Sequence, residues 1–304
     1  MKNALALFQH VLAKRVLLFL VLFAALVNFS YPEEWTVANP LIAAMVAAIL
    51  TLNFHLILYL PFRGQVVIFW LQLLALFLVF FYSFNLSYGF ISERLPLLIF
   101  TGVGYTLLVS ALSIAFASII ALFGALMRLS KNGAAFAIST FYVSFFRGTP
   151  LLLQVYLIYL GLPQLGIILD AIPSGVIALS LCYGAYMTEI FRSGIQAVPE
   201  EQSEAALALG MKPWQIMIKV VLPQAIRIII PPTGNNFIAM LKDSSLVSAM
   251  GVMELMYLAR TLGRSEFKHF EMLITAALIY WFISFLFELL QGRLEAHFGK
   301  SSLR

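Results

Sequence analysis

A single arginine inside a long apolar run is the first residue that could do chemistry. Arg147 lies in the stretch FFRGTP, where Gly148 and Pro150 both disfavour a regular helix. Pro150 removes a backbone donor and pushes Thr149 away from helical geometry. A break in an apolar segment exposes backbone groups, which is tolerated only against protein or a water-filled cavity. The stretch therefore predicts a helix break beside a polar path, with Arg147 as a cation that could bind an anionic group.

A second stretch, CYGAYMTEI, offers another wall for the same path. Gly184 leaves room for a neighbour, Tyr186 and Thr188 carry hydrogen-bonding hydroxyls, and Glu189 carries a carboxylate. Glu189 and Arg147 have opposite charges, and two interpretations stay open for them. Either they face the path, or they are structural and pair with each other or with carbonyls at helix ends.

A third segment, EQSEAALALGMKPWQIMIKVVLPQA, is mixed in character and lies between two apolar runs. Pro199 suits the first turn of a helix, and Glu200, Glu201 and Glu204 follow near its positive end. Gly210 is a natural C-terminal cap. The pattern predicts a helix of about ten residues, which is too short to be stable alone in water. It must therefore pack against something else.

Motifs for several enzyme classes are missing from the sequence. It contains no G-x-x-x-x-G-K-[ST] phosphate-binding loop and no H-E-x-x-H zinc motif. The one cysteine, Cys182, excludes an intrachain disulfide and a cysteine-based metal cluster. His55 lies close to Asn53, and we expect it to hydrogen-bond between helices. We assign no catalytic residue, no metal ligand and no cofactor to this chain.

The composition indicates where these segments must fold. The chain has 304 residues, 62% hydrophobic and 11% charged, against about 25% charged in soluble domains. Continuous apolar runs of roughly 18 or more residues indicate membrane-spanning helices rather than a β-barrel. The net charge of +5 is typical of lysine and arginine in cytoplasmic loops, so we do not attribute it to nucleic-acid binding. The runs predict about eight helices, at residues 16–29, 40–60, 66–84, 97–127, 134–162, 174–191, 224–241 and 272–290.

Charge also orients the predicted helices. With the N-terminus inside, most lysines and arginines fall on the inner side, as the positive-inside rule requires. Both termini are then cytoplasmic, and so is the mixed segment around Glu204. The stretch 242–271 places several cations outside, and part of it is expected to be re-entrant or interfacial. The first run follows Lys14 and Arg15 and is short, but we prefer a retained helix to a signal peptide.

Together these stretches resemble the permease subunits of ATP-binding-cassette (ABC) importers, specifically the polar amino acid uptake family. The mixed segment resembles the cytoplasmic EAA loop of that family in Glu204, Ala205 and Ala206, then Gly210, then Leu222 and Pro223. The other matching blocks are GVGYTLLVS, FFRGTPLLLQVYLIYLGLP, YGAYMTEIFRSGIQAVP, LPQAIRIIIPPTGNNFIAMLKDSSL and EL at 254–255. Glu201 departs from the family pattern, which usually has glycine there. The resemblance covers about residues 97–295.

The resemblance implies a fold and a division of the chain. We expect an all-α polytopic membrane protein with about eight transmembrane helices. Residues 96–304 would form the five-helix core of a type I ABC importer, with a cytoplasmic coupling loop at 198–223. Residues 1–95 would form an N-terminal extension with about three transmembrane helices, to which we assign no function.

The resemblance also implies a function. The chain would be the permease of an ATP-driven importer that moves a polar amino acid across the bacterial cytoplasmic membrane by alternating access. It would work with a second permease copy or paralogue, two cytoplasmic subunits that bind ATP and Mg²⁺, and an external or periplasmic solute-binding protein. The alternative is a stand-alone, ion-coupled secondary transporter, which would need intramembrane acids as ion sites and no docking loop. A membrane enzyme would need a catalytic cluster, and the sequence offers none.

The residue chemistry and the resemblance together give three sets of candidate site residues. The coupling residues, which would dock on the ATPase, are Glu204, Ala205, Ala206, Gly210, Leu222 and Pro223. The substrate-path residues are Arg147, Thr149, Gly184, Tyr186, Thr188 and Glu189. Among these, Arg147 and Glu189 would hold an amino acid by its carboxylate and its ammonium. The outer-gate residues are Asn235, Asn236, Lys242 and Asp243.

Overall fold

The computed structural model describes residues 20–21, 38–82, 84 and 86–299, and all regular structure in them is helical. The chain divides into two compact units, residues 1–86 and 87–304. The division falls just before a helix that begins at Tyr88. Most of the first apolar run, at 16–29, lies outside the described residues, so its helix stays a prediction.

The described part of the first unit is a pair of apolar helices, α1 at Ala38–Leu58 and α2 at Phe62–Tyr82. Gln72 Nε2 of α2 donates to Asn53 Oδ1 of α1 at 3.0 Å. The interhelical bond expected of His55 is thus made by Asn53 instead. His55 Nδ1 lies 2.6 Å from the Thr51 carbonyl oxygen of its own helix, because a polar side chain can also bond the carbonyl one turn earlier.

The second unit contains the remaining described helices. They are α3 at Tyr88–Leu97, α4 at Gly104–Leu129, α5 at Gly133–Gly148, α6 at Leu151–Tyr156, α7 at Ala171–Gln196, α8 at Glu200–Ala208, α9 at Pro213–Ile216, α10 at Leu222–Asp243, α11 at Leu255–Ser265 and α12 at His269–Gly299. Short π-helical or 3₁₀ turns join several of them, at Leu98–Val103, Leu157–Gly161, Leu162–Leu165, Met217–Val221 and Ser244–Met250.

Six helical segments of the described chain are long and apolar enough to cross a membrane, and a bent pair makes a possible seventh. With the bent pair included, these seven segments of the described chain correspond in order to the seven predicted runs from 40–60 onward. Five of the seven lie in the second unit, as a five-helix core requires. The bent pair is α5 with Leu151–Leu165, at an angle of 107°. The bend falls at Thr149 and Pro150, so the predicted helix break is confirmed.

One predicted break is shorter than expected. The runs 66–84 and 97–127 leave a loop between them, with turn signals in NLSYGFISERLP at residues 85–96. The structure instead has one continuous span that already begins at Tyr88 and ends at Leu129. Pro96 lies inside α3, and the π-helical turn at Leu98–Val103 follows it directly. A proline removes one helical hydrogen bond. The wider π-helical turn shifts the bonding register around that gap, so the helix continues.

The packing of α4 against α7 builds the core of the second unit. A carbon added at Gly124 of α4 would meet Thr188 Oγ1 of α7 at 2.5 Å, and one added at Gly184 of α7 would meet Ile120 Cγ2 of α4 at 2.9 Å. Small residues let membrane helices approach closely, and this packing replaces the hydrophobic driving force that lipid cannot supply. The contact between α4 and α7 therefore depends on glycine at both positions.

We expect Gly124→Ala to destabilise the protein by about 1–3 kcal/mol, because the added methyl group overpacks the seam at Thr188. The measurement is the unfolding temperature in detergent. Gly104→Ala is the matched control on the same helix, since nothing lies within 4 Å of a carbon added there. Thr188→Ala makes room for the methyl group, so the double variant should lose less stability than the two single losses summed. If the two losses of stability instead add exactly, Thr188 does not restrict the added methyl group, and α4 and α7 move apart to accommodate it.

Candidate functional site

One glutamine holds the helix break at Thr149 and Pro150. Thr149 has an extended backbone (φ −110°, ψ 145°), so the last carbonyls of α5 lack helical partners. Gln154 Nε2 lies 2.8 and 3.0 Å from the carbonyl oxygens of Phe146 and Thr149, and 2.9 Å from Thr149 Oγ1. Gln154 is buried, so protein rather than water satisfies these groups, as a membrane requires. Gln154 was not predicted from the sequence; its signal is a lone amide in the apolar run after Pro150.

Two substrate-path residues meet beside this break. Arg147 is exposed near the end of α5, and its guanidinium carbon lies 5.2 Å from the centre of the Tyr186 ring. Tyr186 of α7 is 41% exposed. A cation–π contact of this kind contributes about 0.5–1 kcal/mol at an exposed site. The Arg147 guanidinium carries five N–H donors, so it can still donate to an anionic group beside this contact.

Two other substrate-path residues lie buried between helices. Thr188 is 0% exposed, and its hydroxyl donates to the Gly184 carbonyl at 2.8 Å. The hydroxyl of Tyr142, which covers Gly184, donates to the Leu181 carbonyl at 2.6 Å. Gly184 and Thr188 therefore serve the packing of α7 against α4 and α5, and neither borders an open space.

Glu189 belongs to an ion network rather than to a pair with Arg147. Arg128 Nη1 of α4 donates to Glu189 Oε2 at 2.7 Å, and Arg192 contacts the other carboxylate oxygen. Within the part of the chain that the structure describes, these two arginines are the ion-pair partners of Glu189. Both oxygens are thus engaged, and the carboxylate links α4 to α7. Of the two interpretations for Glu189, this geometry favours the structural one.

The outer-gate residues lie on the last turns of α10. The Tyr183 hydroxyl of α7 donates to Asp243 Oδ2 at 2.7 Å, which ties α10 to α7. Asn236 Nδ2 donates to a carbonyl of its own helix at 2.9 Å. Asn235 and Lys242 are exposed. Of the four outer-gate residues, Asp243 thus links two helices, whereas Asn236 bonds within its own helix and the other two are exposed.

A buried carboxylate organises the segment after α10. Glu254 is 0% exposed and caps α11, where it accepts from the N–H groups of Met256 and Tyr257 at 2.9 and 2.7 Å. The Tyr280 hydroxyl of α12 donates to it at 2.6 Å. Burial raises the pKa of this carboxyl, while the three donors and Arg260 oppose that rise. Glu254 was expected only as part of the EL motif, and its role as the cap that joins α11 to α12 was not predicted.

The 198–223 loop contains the short capped helix that was predicted. α8 is followed closely by Gly210, whose φ is +78°, a left-handed conformation that favours glycine. Ala206 is 5% exposed and anchors α8 in a cluster of apolar side chains at the ends of the longer helices. The partners of Ala206 in this cluster include Ile195, Val198, Ile216 and Val221. At the far end of the loop, Leu222 and Pro223 form the first turn of α10.

Several apolar and acidic side chains of this loop are exposed. Leu207, Leu209 and Trp214 are 61%, 83% and 58% exposed, and Glu204 and Ala205 are exposed as well. We call these five residues the docking face. Single exposed leucines are common on proteins, but a group of large apolar side chains on one short segment marks an interaction site. Leu207, Leu209 and Trp214 were not predicted as members, although two leucines within three residues of the glycine cap are a visible signal.

Comparison with known proteins relates this architecture to one family. A family model described as "binding-protein-dependent transport system inner membrane component" matches residues 113–300. The probable amino-acid ABC transporter permease protein YckA of Bacillus subtilis (strain 168) is 39% identical over 218 residues, which are 72% of this chain and 95% of the relative. The L-cystine transport system permease protein TcyB of the same organism is 43% identical over 195 residues, which are 64% of this chain and 83% of the relative.

Solved structures share the fold. A crystal structure of an amino acid ABC transporter with histidines is 37% identical with a TM-score of 0.65, over 70% of this chain and 100% of that chain. An inward-facing structure of the MetNI methionine ABC transporter is 20% identical with a TM-score of 0.54, over 66% of this chain and 98% of that chain. At this lower identity the likeness concerns the fold alone.

These matches exclude the alternative of a stand-alone, ion-coupled transporter, because the family consists of components of binding-protein-dependent systems. The spans of the second unit, the bend after α5 and the capped loop helix all lie within the matched region or beside it. The chain is a multi-pass membrane protein that belongs to the inner membrane components of binding-protein-dependent transport systems, as an ABC importer permease of the polar amino acid uptake family.

Proposed function

We propose that this chain carries a polar amino acid across the bacterial cytoplasmic membrane, as one of two permease subunits in an ATP-driven importer. The second permease is a copy or a paralogue. Two cytoplasmic subunits bind ATP and Mg²⁺ and supply the energy, and an external or periplasmic solute-binding protein delivers the cargo. This chain lacks a phosphate-binding loop and leaves ATP hydrolysis to those partners. Both termini and the docking face lie on the cytoplasmic side.

The docking face is the observation that carries this proposal. Ala206 anchors α8 against the ends of the longer helices, while Leu207 of α8, Leu209 just after it and Trp214 of α9 remain exposed. Covering apolar surface in water is worth about 25 cal/mol per Å², so a partner gains by covering these side chains. α8 follows α7 after residues 197–199 alone. A movement of the partner would therefore reach the membrane helices through this short connection.

Two observations support a polar amino acid as the cargo: the names of related permeases and the position of Arg147 beside the bend. Related permeases are named for L-cystine, glutamine and arginine, all of which carry an α-carboxylate and an α-ammonium. Arg147, which contacts the Tyr186 ring, offers a cation to the carboxylate. Glu189 is committed to Arg128 and Arg192, so we no longer assign the ammonium to it.

A charge placed on the docking face should separate the permease from its ATPase. In Leu209→Asp, we expect the ATP-hydrolysing subunit to be lost from the purified complex and uptake to fall about tenfold or more, because aspartate cannot occupy an apolar hot spot. Ile168→Asp is the matched control: both residues are 83% exposed, but Ile168 lies outside the loop. The measurements are co-purification and uptake of labelled amino acid at equal membrane levels. Normal co-purification by Leu209→Asp would contradict the role of the face.

Cysteine labelling tests the proposed orientation. Ala205→Cys should react with a membrane-impermeant maleimide only after the cells are permeabilised, whereas Ile168→Cys should react in intact cells. The wild type is the control, since its one cysteine, Cys182, is buried. The reverse pattern would place the docking face outside the cell and would remove its proposed contact with an ATPase.

Substitutions of Arg147 and Tyr186 test whether the transported amino acid passes beside the bend. Arg147→Ala should abolish uptake, because the cargo carboxylate loses its cation, while the complex still assembles and hydrolyses ATP at its basal rate. Tyr186→Phe keeps a ring beside Arg147 and should transport like the wild type. Tyr186→Leu removes the ring and should lower uptake about two- to fivefold, in line with a contact of about 0.5–1 kcal/mol. Unchanged uptake and affinity in Arg147→Ala would show that the arginine does not contact the cargo.

A further inference from the structure

A basic cleft of about 690 Å³ lies between α6, the 3₁₀ turn after α10, α11 and the start of α12. Two arginines of α11, Arg260 and Arg264, line it together with His269 of α12. The arginines lie four residues apart, so they share one face of the helix. Among the described residues, none of those that line the cleft is acidic. The cleft therefore favours an anionic ligand.

The two arginines have unused donors for such a ligand. Both are exposed, and in the described part of the chain neither forms an ion pair. The buried Glu254 carboxylate feels the charge of Arg260 but is already bound by the Tyr280 hydroxyl and two backbone N–H groups. A guanidinium presents a rigid fork of donors that matches the oxygens of a phosphate. Two forks on one helix face, beside an imidazole, suit a phosphate group.

The position of α11 indicates which phosphate is at hand. The helix has 11 residues, about half of the length needed to span a bilayer. It connects two segments that are long and apolar enough to cross one, Pro213–Met250 and His269–Ala296. Its apolar side packs inward, where Leu255, Leu258 and Ala259 are buried, so the arginines lie on its outward side. A short helix between two spans lies at the membrane boundary, among the lipid headgroups, where basic side chains attract anionic lipids.

An exposed aromatic ring follows this helix in a strained conformation. Phe267 has a φ of +55° at the position that usually holds glycine after a helix, because the Lys268 N–H closes the turn onto the Gly263 carbonyl at 2.8 Å. A carbon added at Gly263 would meet His269 Cα at 2.9 Å, so close packing holds this turn. Phe267 is nevertheless 92% exposed. Strain in a bulky residue often marks a functional position, and aromatic rings concentrate at membrane interfaces.

We propose that this cleft binds an anionic phospholipid, with the phosphate on Arg260 and Arg264 beside His269 and with the Phe267 ring against the apolar part of the lipid. Phosphatidylglycerol fits, because its headgroup has one negative charge and no cation. The ammonium of a zwitterionic headgroup would instead be repelled by the basic cleft. The bound lipid would hold α11, and the Glu254 cap that joins it to α12, at the membrane surface. The inference depends neither on the identity of the cargo nor on the partner subunits.

Native mass spectrometry of the full chain in detergent, titrated with phosphatidylglycerol or phosphatidylcholine, tests the proposal. We expect one phosphatidylglycerol to bind about tenfold or more tightly than phosphatidylcholine. Arg260→Gln and Arg264→Gln should each weaken its binding about fivefold, as expected for one basic residue beside anionic lipid. Arg264→Lys keeps the charge and should weaken it less. Arg293→Gln is the matched control, since it removes the same charge from α12 outside the cleft and should bind like the wild type.

Phe267→Asn separates a lipid contact from a packing role. Asparagine tolerates the left-handed conformation better than phenylalanine, so the unfolding temperature in detergent should stay the same or rise. Phosphatidylglycerol binding should nevertheless fall about 3–10-fold, because the apolar ring no longer covers the lipid. A lower unfolding temperature with unchanged lipid binding would show that the ring packs on the protein, and would overturn its place in the site.

Competitors and transport assays distinguish other occupants of the cleft. Inorganic phosphate and L-glutamate are added to the phosphatidylglycerol complex, and displacement of the lipid by either at millimolar concentration would reveal a site for small anions and overturn the proposal. Equal binding of the two lipids, or equal weakening by Arg293→Gln, would overturn it as well. Uptake by the intact complex is measured for both cleft variants. Lost uptake with normal phosphatidylglycerol binding would assign the arginines to a protein partner instead of a lipid.

Discussion

The close approach of α4 and α7 is the constraint on which the second unit depends. Lipid tails are as apolar as leucine, so membrane helices gain little by burying apolar side chains against one another and rely on close packing and polar contacts. Gly124 and Gly184 leave the space that Thr188 and Ile120 occupy at this seam. Larger side chains there would move α7 away from α4, and several other elements are attached to α7.

Polar links radiate from α7 to its neighbours. Tyr183 reaches Asp243 on α10, and Glu189 reaches Arg128 on α4. The Leu181 carbonyl accepts the hydroxyl of a tyrosine on α5. Hydrogen bonds are stronger away from water, and unpaired polar groups cost more there, so these links favour one arrangement of the helices. Because α7 also leads directly into α8, the same helix connects the docking face to the region of the bend.

The elements that could be predicted from the sequence are those whose signals are local. Continuous apolar runs predicted the spans, Pro150 predicted the bend, and Pro199 with Gly210 predicted the loop helix. Each of these signals acts on the backbone of its own segment, through a lost N–H, a fixed φ or a left-handed turn. Pro96 shows where local reasoning failed. A π-helical turn follows the position where Pro96 removes a helical hydrogen bond, and the helix therefore continues from Tyr88 through most of the loop that was predicted at 85–96.

Which side chains meet was decided only by the tertiary structure. Glu189 is bound by Arg128, 61 positions away, rather than by Arg147, and Tyr156 comes to line one cleft with Arg260. Helices that are apolar on every side carry no periodic pattern to show which face is buried. The sequence by itself therefore determined the spans, the helix break and the capped loop, because these depend on nearby residues. The partners of each charge depended on how the helices rotate and pack, and that is settled by steric fit at small residues such as Gly124 and Gly184.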